Sequence, residues 1–127
     1  MKNGFLKVAV TTPDLRVADC EYNKNQMVEK VKKMAGEKVS LVCFPEFSLT
    51  GYTCGDLFLH DTLVEGAKDA LAAYCEETKS YEIVSVVGLP LDHNGKLYNV
   101  AAVIYGGKIL GFVPKSYLPN YSEFYEA

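Results

Sequence analysis

The chain has 127 residues, of which 49% are hydrophobic and 23% are charged, and its formal net charge at pH 7 is -3. Its length fits one domain of ordinary size or a large piece of one. Because the chain has no basic field to attract phosphates, we expect neither nucleic acid nor a membrane surface as a partner. No signal peptide is evident and no apolar stretch approaches the roughly 18 residues of a membrane span, so we expect a cytoplasmic protein.

The first half of the chain alternates strand-like and helix-like segments. Residues 5–10 are rich in β-forming side chains and predict a mostly buried first strand. From 19 to 35 the apolar residues recur at helical spacing, and Gly36 then supplies a typical helix C-terminus. Residues 39–44 form a short, nearly continuous apolar run, which predicts a central strand covered on both faces.

The second half predicts one more helix and then three strands. Thr62 and Glu65 have the spacing of a capping box, so the helix is expected to begin there. Its apolar residues from Leu63 to Cys75 fall on one stripe, which predicts a buried helix face. An Asn-Gly pair and a Gly-Gly pair then mark two tight turns between β-rich runs. The predicted strands of this meander are 83–91, 97–104 and 108–113.

The order of elements, β-α-β-loop-α-β-β-β, predicts an α/β fold with a mixed sheet and helices on one face. The other face has no predicted cover, so we expect it to meet a partner subunit or further sequence, and we expect self-association into a homo-oligomer. Residues 115–127 contain several aromatic side chains but lead into no further element. The chain is therefore expected to be a piece of a larger domain.

Two strand ends carry an ionisable group beside a proline, Glu46 after Pro45 and Lys115 after Pro114. Loops at strand ends are where α/β proteins build sites, because the sheet holds the backbone while the loop varies. A glutamate there is a candidate general base, and a lysine is a candidate support for developing oxyanion charge. The alternatives are that Glu46 caps its loop or pairs with a lysine and that Lys115 is simply solvated.

The four cysteines have no spacing typical of a zinc site or a disulfide framework. Cys20, Cys43 and Cys75 are expected to be structural, the last two as small core residues. Cys54 lies in a glycine-flanked loop and is the one candidate for a local reactive thiol, although such loops more often determine shape. With only two isolated histidines, of which His60 lies nearest to Cys54, no metal site is predicted.

Two motifs give the chain a resemblance to a known family. Phe-Pro-Glu-Phe-Ser-Leu-Thr-Gly-Tyr at 44–52 resembles the glutamate motif of the nitrilase (carbon–nitrogen hydrolase) superfamily, and Pro-Lys at 114–115 is similar to its lysine motif. The flanking segments, 51–58 and 115–126, look like those of glutaminase domains in the glutamine-dependent NAD synthetase family. The resemblance runs the whole length of the chain.

The resemblance implies roles for individual residues. In the family a cysteine thiolate attacks the glutamine amide, a glutamate is the general base and a lysine supports the oxyanion. Glu46 and Lys115 would take the last two roles, Tyr121 would help to bind glutamine, and Glu123 would be a supporting acid. None of the four cysteines matches the nucleophile motif, so the nucleophile is expected to be absent from this chain and the chain alone to be inactive.

The resemblance also implies the wider activity. It implies a nitrilase-like α-β-β-α sandwich, of which this chain is the N-terminal part, and ammonia transfer to a synthetase domain that converts nicotinic acid adenine dinucleotide to NAD. ATP and Mg²⁺ belong to that second domain, and no cofactor is expected in residues 1–127. Two alternatives stay open: another amidase of the superfamily, such as an omega-amidase or a carbamoylase, and a non-catalytic assembly module.

Overall fold

The computed structural model describes residues 6–51 and 61–115. Within these ranges the chain forms two helices and one five-stranded sheet. The α/β class and the order of elements predicted from the sequence are confirmed. The elements are β1 (Val8–Val10), α1 (Cys20–Gly36), β2 (Leu41–Cys43), α2 (Asp61–Thr78), β3 (Val84–His93), β4 (Lys96–Tyr105) and β5 (Lys108–Pro114).

The sheet is mixed, and its strands are arranged in the order of the sequence. β1, β2 and β3 are parallel, as expected for strands joined by long connections that contain helices. β3, β4 and β5 are antiparallel and are joined by tight turns. β3 therefore lies between the parallel and the antiparallel part of the sheet. In the ranges that the structure describes, neither helix has the length and apolarity to cross a membrane.

The sequence predicted the first residue of α1 better than that of α2. α1 begins where expected, because the Asp19 side chain accepts a hydrogen bond from the Tyr22 N–H and so caps the first turn. α2 begins at Asp61, so Thr62 lies inside the first turn and the predicted capping box at Thr62 is wrong. A cap at Thr62 would make Leu63 the first helical residue, and the helix begins two residues earlier, so Thr62 is not in the capping position.

The tight turns of the meander confirm the hairpin prediction. Asn94 and Gly95 both have positive φ, 52° and 77°, and they join β3 to β4. Gly106 and Gly107, with φ of 60° and 80°, join β4 to β5. Two successive residues with positive φ give the turn a twist that matches the twist of the strands. Each strand of the meander is one or two residues longer than predicted, and Pro114 is the last residue of β5.

One face of the sheet, the covered face, packs against both helices. Its residues alternate along the strands with those of the other face. Its centre, on β2, β3 and β4, is buried, whereas Ala9 on β1 is half-buried and Phe112 on β5 is 40% exposed. The α2 residues predicted to lie on one apolar stripe, Cys75 among them, are buried against this face. The buried residues of the covered face are Val42, Ser85, Val87, Leu89, Val100, Ala102 and Ile104.

The opposite face, the open face, is apolar but has little cover within the described residues. Val8, Val10 and Val113 are 58%, 84% and 59% exposed. Among residues 6–51 and 61–115, the prediction of a mostly buried first strand is therefore wrong, and β2 is covered by the helices on one face only. The open face consists of Val8, Val10, Leu41, Cys43, Val84, Val86, Ala101, Val103 and Val113.

Candidate active site

Glu46 lies in a tight turn that continues from the end of β2. The Phe44 N–H donates to the Val86 carbonyl at 2.9 Å, and the chain then leaves the ladder and turns over residues 46–50. Phe47 has a φ of +54°, in the left-handed region that a bulky side chain rarely adopts. Such a conformation costs on the order of 1–3 kcal/mol and persists only where the surroundings impose it. The turn that presents Glu46 is thus held by its surroundings.

Those surroundings include the backbone of Gly88 in β3. The Gly88 N–H donates to Ser48 Oγ at 3.1 Å, and its carbonyl accepts from the Leu49 N–H, also at 3.1 Å. A Cβ atom at Gly88 would lie 2.5 Å from the Phe47 nitrogen and 2.8 Å from the Pro45 oxygen. Only glycine leaves room for the turn to approach β3 this closely, so Gly88 determines where Glu46 lies.

A buried asparagine on α1 supports the turn from the helix layer. Asn23 is fully buried, and its amide donates to the Arg16 carbonyl at 2.7 Å and to the Leu49 carbonyl at 3.0 Å. Its side-chain oxygen accepts from the Arg16 N–H at 2.6 Å. One side chain therefore satisfies backbone groups from two loops, and the loop before α1 and the Glu46 turn are held to the same helix.

Lys115 directly follows β5, at the same end of the sheet as Glu46. Its N–H donates to the Asn99 carbonyl at 2.9 Å, which continues the β4–β5 ladder by one bond. Its Nζ lies 3.0 Å from Glu46 Oε1, and the two side chains are 31% and 33% exposed. The structure thus brings together the two residues that the sequence singled out, although they are 69 residues apart. The alternative in which Glu46 pairs with a lysine describes the same contact.

Asn99 completes this cluster, although no motif in the sequence points to it. It lies on β4 on the same side as the open face, yet it is only 6% exposed. Its Nδ2 donates a short hydrogen bond to Glu46 Oε1. Glu46 Oε1 therefore accepts from both Asn99 and Lys115. A Tyr-Asn pair inside a predicted strand is an unusual polar interruption, which is the only signal in the sequence that marks this residue.

A cavity of about 240 Å³ adjoins the cluster at the end of the open face. Glu46, Asn99 and Lys115 provide its polar lining, and apolar residues of β2 to β5 provide the rest. Cys43 is among these and is only half-buried, so the prediction that it is an inert core residue needs correction. Cys43 follows Val42 on β2, so the two side chains lie on opposite faces of the sheet and the Cys43 thiol lies on the open face. A larger groove of about 570 Å³ lies between α1 and α2, but it is remote from this cluster.

The other candidate residues are less informative. Tyr121 and Glu123, predicted to bind substrate, lie outside the described residues, as do Cys54 and His60. Cys20 is buried, as is Cys75 on α2, where desolvation raises the pKa of the thiol and disfavours the reactive thiolate. Among residues 6–51 and 61–115, no group of three or more potential ligands is arranged to hold a metal ion.

Comparison with known proteins places this geometry in a family. A model of the carbon-nitrogen hydrolase family matches residues 7–126. The glutamine-dependent NAD(+) synthetase of Mycobacterium tuberculosis (strain H37Rv) is 39% identical over 125 residues, which are 98% of this chain and 18% of that protein. This chain therefore spans less than a fifth of the length of that relative.

Solved structures agree with the sequence comparison. The glutamine-dependent NAD+ synthetase from Acinetobacter baumannii, solved in complex with ADP, has a TM-score of 0.85 at 32% identity, over 94% of this chain and 22% of that one. An amidase from Nesterenkonia sp. has a TM-score of 0.79 at 17% identity, over 97% of this chain and 47% of that one, and it supports the fold alone. The sheet, the helices and the matched motifs lead to one conclusion: the chain belongs to the carbon–nitrogen hydrolase family.

Proposed function

We propose that residues 1–127 are the N-terminal part of the glutaminase domain of a glutamine-dependent NAD synthetase. In this proposal the domain hydrolyses the side-chain amide of glutamine, and a separate domain uses the ammonia to amidate nicotinic acid adenine dinucleotide to NAD. The observation that carries the proposal is the contact of 3.0 Å between Lys115 Nζ and Glu46 Oε1, where two strands end beside a cavity. The similarity to NAD synthetases along 98% of the chain supports the choice of substrate.

Glu46 is the general base in this mechanism. It takes the proton of a cysteine thiol as the sulfur attacks the amide carbon, and it returns that proton to the departing ammonia. The resulting thioester is cleaved by a water molecule that Glu46 activates in the same way, which releases glutamate and regenerates the thiol. Because Oε1 is bonded to Asn99 and Lys115, proton exchange is assigned to Oε2, which makes no hydrogen bond with the described residues.

Lys115 supplies the positive charge of the site. When sulfur attacks the amide, the carbonyl oxygen becomes an oxyanion, and an ammonium group next to the cavity stabilises that charge. The backbone bond from Lys115 to Asn99 keeps the start of the lysine side chain at the edge of the sheet. The same ammonium is bonded to Glu46, so one cation serves both the base and the oxyanion.

The nucleophile is assigned to a part of the protein outside this chain. Cys20 and Cys75 are buried in the helix layer, on the far side of the sheet from the cavity. Cys43 lines the cavity as the last residue of β2, but the sequence around it does not match the nucleophile motif of the family. The proposal therefore predicts that alanine variants of Cys43 and Cys54 keep their glutaminase activity, whereas selective labelling of Cys54 with loss of hydrolysis in C54A would make the nucleophile local.

The remaining parts of the proposal concern groups outside the described residues. Tyr121 is proposed to contact the glutamine substrate, and Glu123 to support the acid–base chemistry. ATP and Mg²⁺ are assigned to the synthetase domain, and the NAD synthetase solved with ADP supports that assignment. The protein is proposed to be a cytoplasmic homo-oligomer, in which further sequence or a second subunit covers the open face.

The test uses the full-length protein that contains this chain. NAD formation from nicotinic acid adenine dinucleotide and ATP is measured with either glutamine or ammonium as the nitrogen donor. We expect E46Q to lower the glutamine-dependent rate by about 10²- to 10⁴-fold and K115M to lower it by about 10²- to 10³-fold. Both variants should keep the ammonium-dependent rate, because the synthetase domain is untouched.

Matched controls come from the same chain. Glu82 and Lys108 are exposed and lie away from the cavity, so E82Q and K108M should behave like the wild-type protein. Glutamine-dependent NAD formation at the wild-type rate in E46Q would contradict the role of Glu46. Hydrolysis of omega-amides or N-carbamoyl compounds in preference to glutamine, without NAD formation from ammonium, would favour an omega-amidase or a carbamoylase. Failure to hydrolyse any amide would favour a non-catalytic assembly module.

A further inference from the structure

We infer that Asn99 is a positioning residue that holds the Glu46 carboxylate in the orientation needed for proton transfer. This inference rests on the proposed function of the site and deepens it. Asn99 lies on β4, and its Nδ2 donates to Glu46 Oε1 across 53 residues of sequence. Its backbone carbonyl accepts from the Lys115 N–H at 2.9 Å. Asn99 therefore contacts both Glu46 and Lys115.

The burial of Asn99 gives that contact its strength. At 6% exposure the amide has little access to water, so its bond to a carboxylate is not weakened by exchange with solvent. By contrast, Glu46 and Lys115 are each about one-third exposed, and their ion pair is screened. Lysine is also a flexible point charge, whereas an amide donates along a defined direction. The orientation of the carboxylate is therefore set by Asn99 more than by Lys115.

The chemistry explains why an amide is suited to this position. Glu46 must accept and release a proton, and a second cation beside it would oppose protonation more strongly than a neutral donor does. The amide leaves the charge of the site unchanged while it occupies Oε1. The other oxygen, Oε2, has no hydrogen bond with the residues that the structure describes and is the one that exchanges the proton.

A purely structural role for Asn99 makes a different prediction from a positioning role. The Lys115 N–H is bonded to the backbone carbonyl of Asn99, which every substitution keeps. If the side chain only stabilised β4, its loss would lower the amount of folded protein and leave kcat per folded molecule unchanged. If the side chain orients Glu46, kcat falls while the KM for glutamine stays nearly constant, because the Asn99 amide is engaged by the Glu46 carboxylate.

The kinetic test compares N99A and N99D in the full-length protein, with ammonia release from glutamine as the measurement. We expect kcat of N99A to fall roughly 10- to 100-fold, the effect of one hydrogen bond to a charged group, with KM changed less than about twofold. N99D keeps the shape but places two carboxylates together, so the acidic limb of the kcat/KM profile should move to higher pH. The control is N94D on the exposed β3–β4 turn, which should match the wild type.

A second measurement is independent of the substrate. In a crystal structure of the full-length N99A protein, we expect the Glu46 carboxylate to turn away from its position or to occupy several rotamers. A single unchanged position would overturn the inference about Asn99, as would wild-type kcat and pH profiles in both variants. If the wild-type protein does not hydrolyse glutamine, the proposed function fails, while the crystal structure still decides whether Asn99 orients Glu46.

Discussion

The two faces of the sheet have similar apolar composition but different surroundings. On the covered face Val42, Val87 and Leu89 are fully buried under α1 and α2. On the open face Val8, Val10 and Val113 are exposed by half or more. A sheet face of this kind on the surface normally marks an interface. The cluster around Glu46 lies at the end of the open face, so whatever covers this face in the proposed full-length protein would also enclose the cluster.

The largest expected effect separates the two faces directly. In V87D a carboxylate would be buried on the covered face without a partner, so we expect the free energy of unfolding to fall by about 4 kcal/mol or more. V10D places the same group on the open face, where in the 127-residue chain we expect a change within about 0.5 kcal/mol. Denaturant unfolding of both variants measures the difference.

The open-face variant also reports on what covers that face. We expect V10D to reduce self-association of the 127-residue chain in sedimentation experiments, because the charge opposes burial of Val10 between copies. In the full-length protein the same variant should be clearly destabilising if further sequence covers the open face. Equal destabilisation of the short chain by V10D and V87D would show that the two faces do not differ as described.

A second comparison concerns two glycines that pair with residues of the open face, Gly88 with Ala101 and Gly111 with Val103. At Gly88 a Cβ atom would collide with the Glu46 turn, so we expect G88A to lose about 1–3 kcal/mol of stability and to lower glutaminase activity in the full-length protein. At Gly111 nothing lies within 4 Å of the added atom, and G111A should be nearly neutral in both measurements. Wild-type activity in G88A would mean that Glu46 does not depend on this close approach.

The smallest expected effect concerns a polar contact under the covered face. Tyr74 on α2 donates to Ser85 Oγ at 2.7 Å, and both residues are buried. We expect Y74F and S85A each to cost about 1–2 kcal/mol, since each leaves one buried hydroxyl unpaired. The double variant should cost less than the sum, because no unpaired group remains. Additive losses would contradict a direct bond between the two side chains.

Tyr74 also makes stability depend on pH. Burial raises the pKa of Tyr74 above its ordinary value of 10.0. As the pH rises past 10.0, the unfolded chain releases the phenolic proton before the folded chain does, so the free energy of unfolding decreases. This contribution is fully present below pH 10.0 and is lost at higher pH. The decrease should be smaller in Y74F when unfolding is measured on both sides of that value.

The sequence predicted the elements whose signals are local. The Asn94–Gly95 and Gly106–Gly107 turns specify the meander, because their positive φ angles require those residues. The apolar spacing of α2 likewise identified its buried stripe. Residues 5–10 were misjudged because a hydrophobic run shows that a strand is apolar but not whether anything covers it. Burial depends on neighbours that are distant in the sequence.

The sequence likewise predicted only part of the candidate site. Glu46 and Lys115 were found because each stands beside a proline at a strand end, and the family resemblance named them. Asn99, Asn23 and Gly88 were missed, since each acts through a partner more than 25 residues away, as the separations of 53, 26 and 40 residues show. No local pattern encodes such a hydrogen bond. The supporting residues of a site are therefore harder to read from sequence than its charged members.

The distance in sequence between Glu46 and Lys115 has a consequence for folding. The β3–β5 meander needs only local contacts, whereas the parallel pairing of β1, β2 and β3 requires closure of long loops, which is slow. The contact between Lys115 and Glu46 spans 69 residues and depends on both parts of the sheet. During synthesis, Glu46 is added to the chain 69 residues before Lys115. The pair can therefore form only after β5 has emerged from the ribosome and docked, which makes it a marker of completed assembly in this part of the protein.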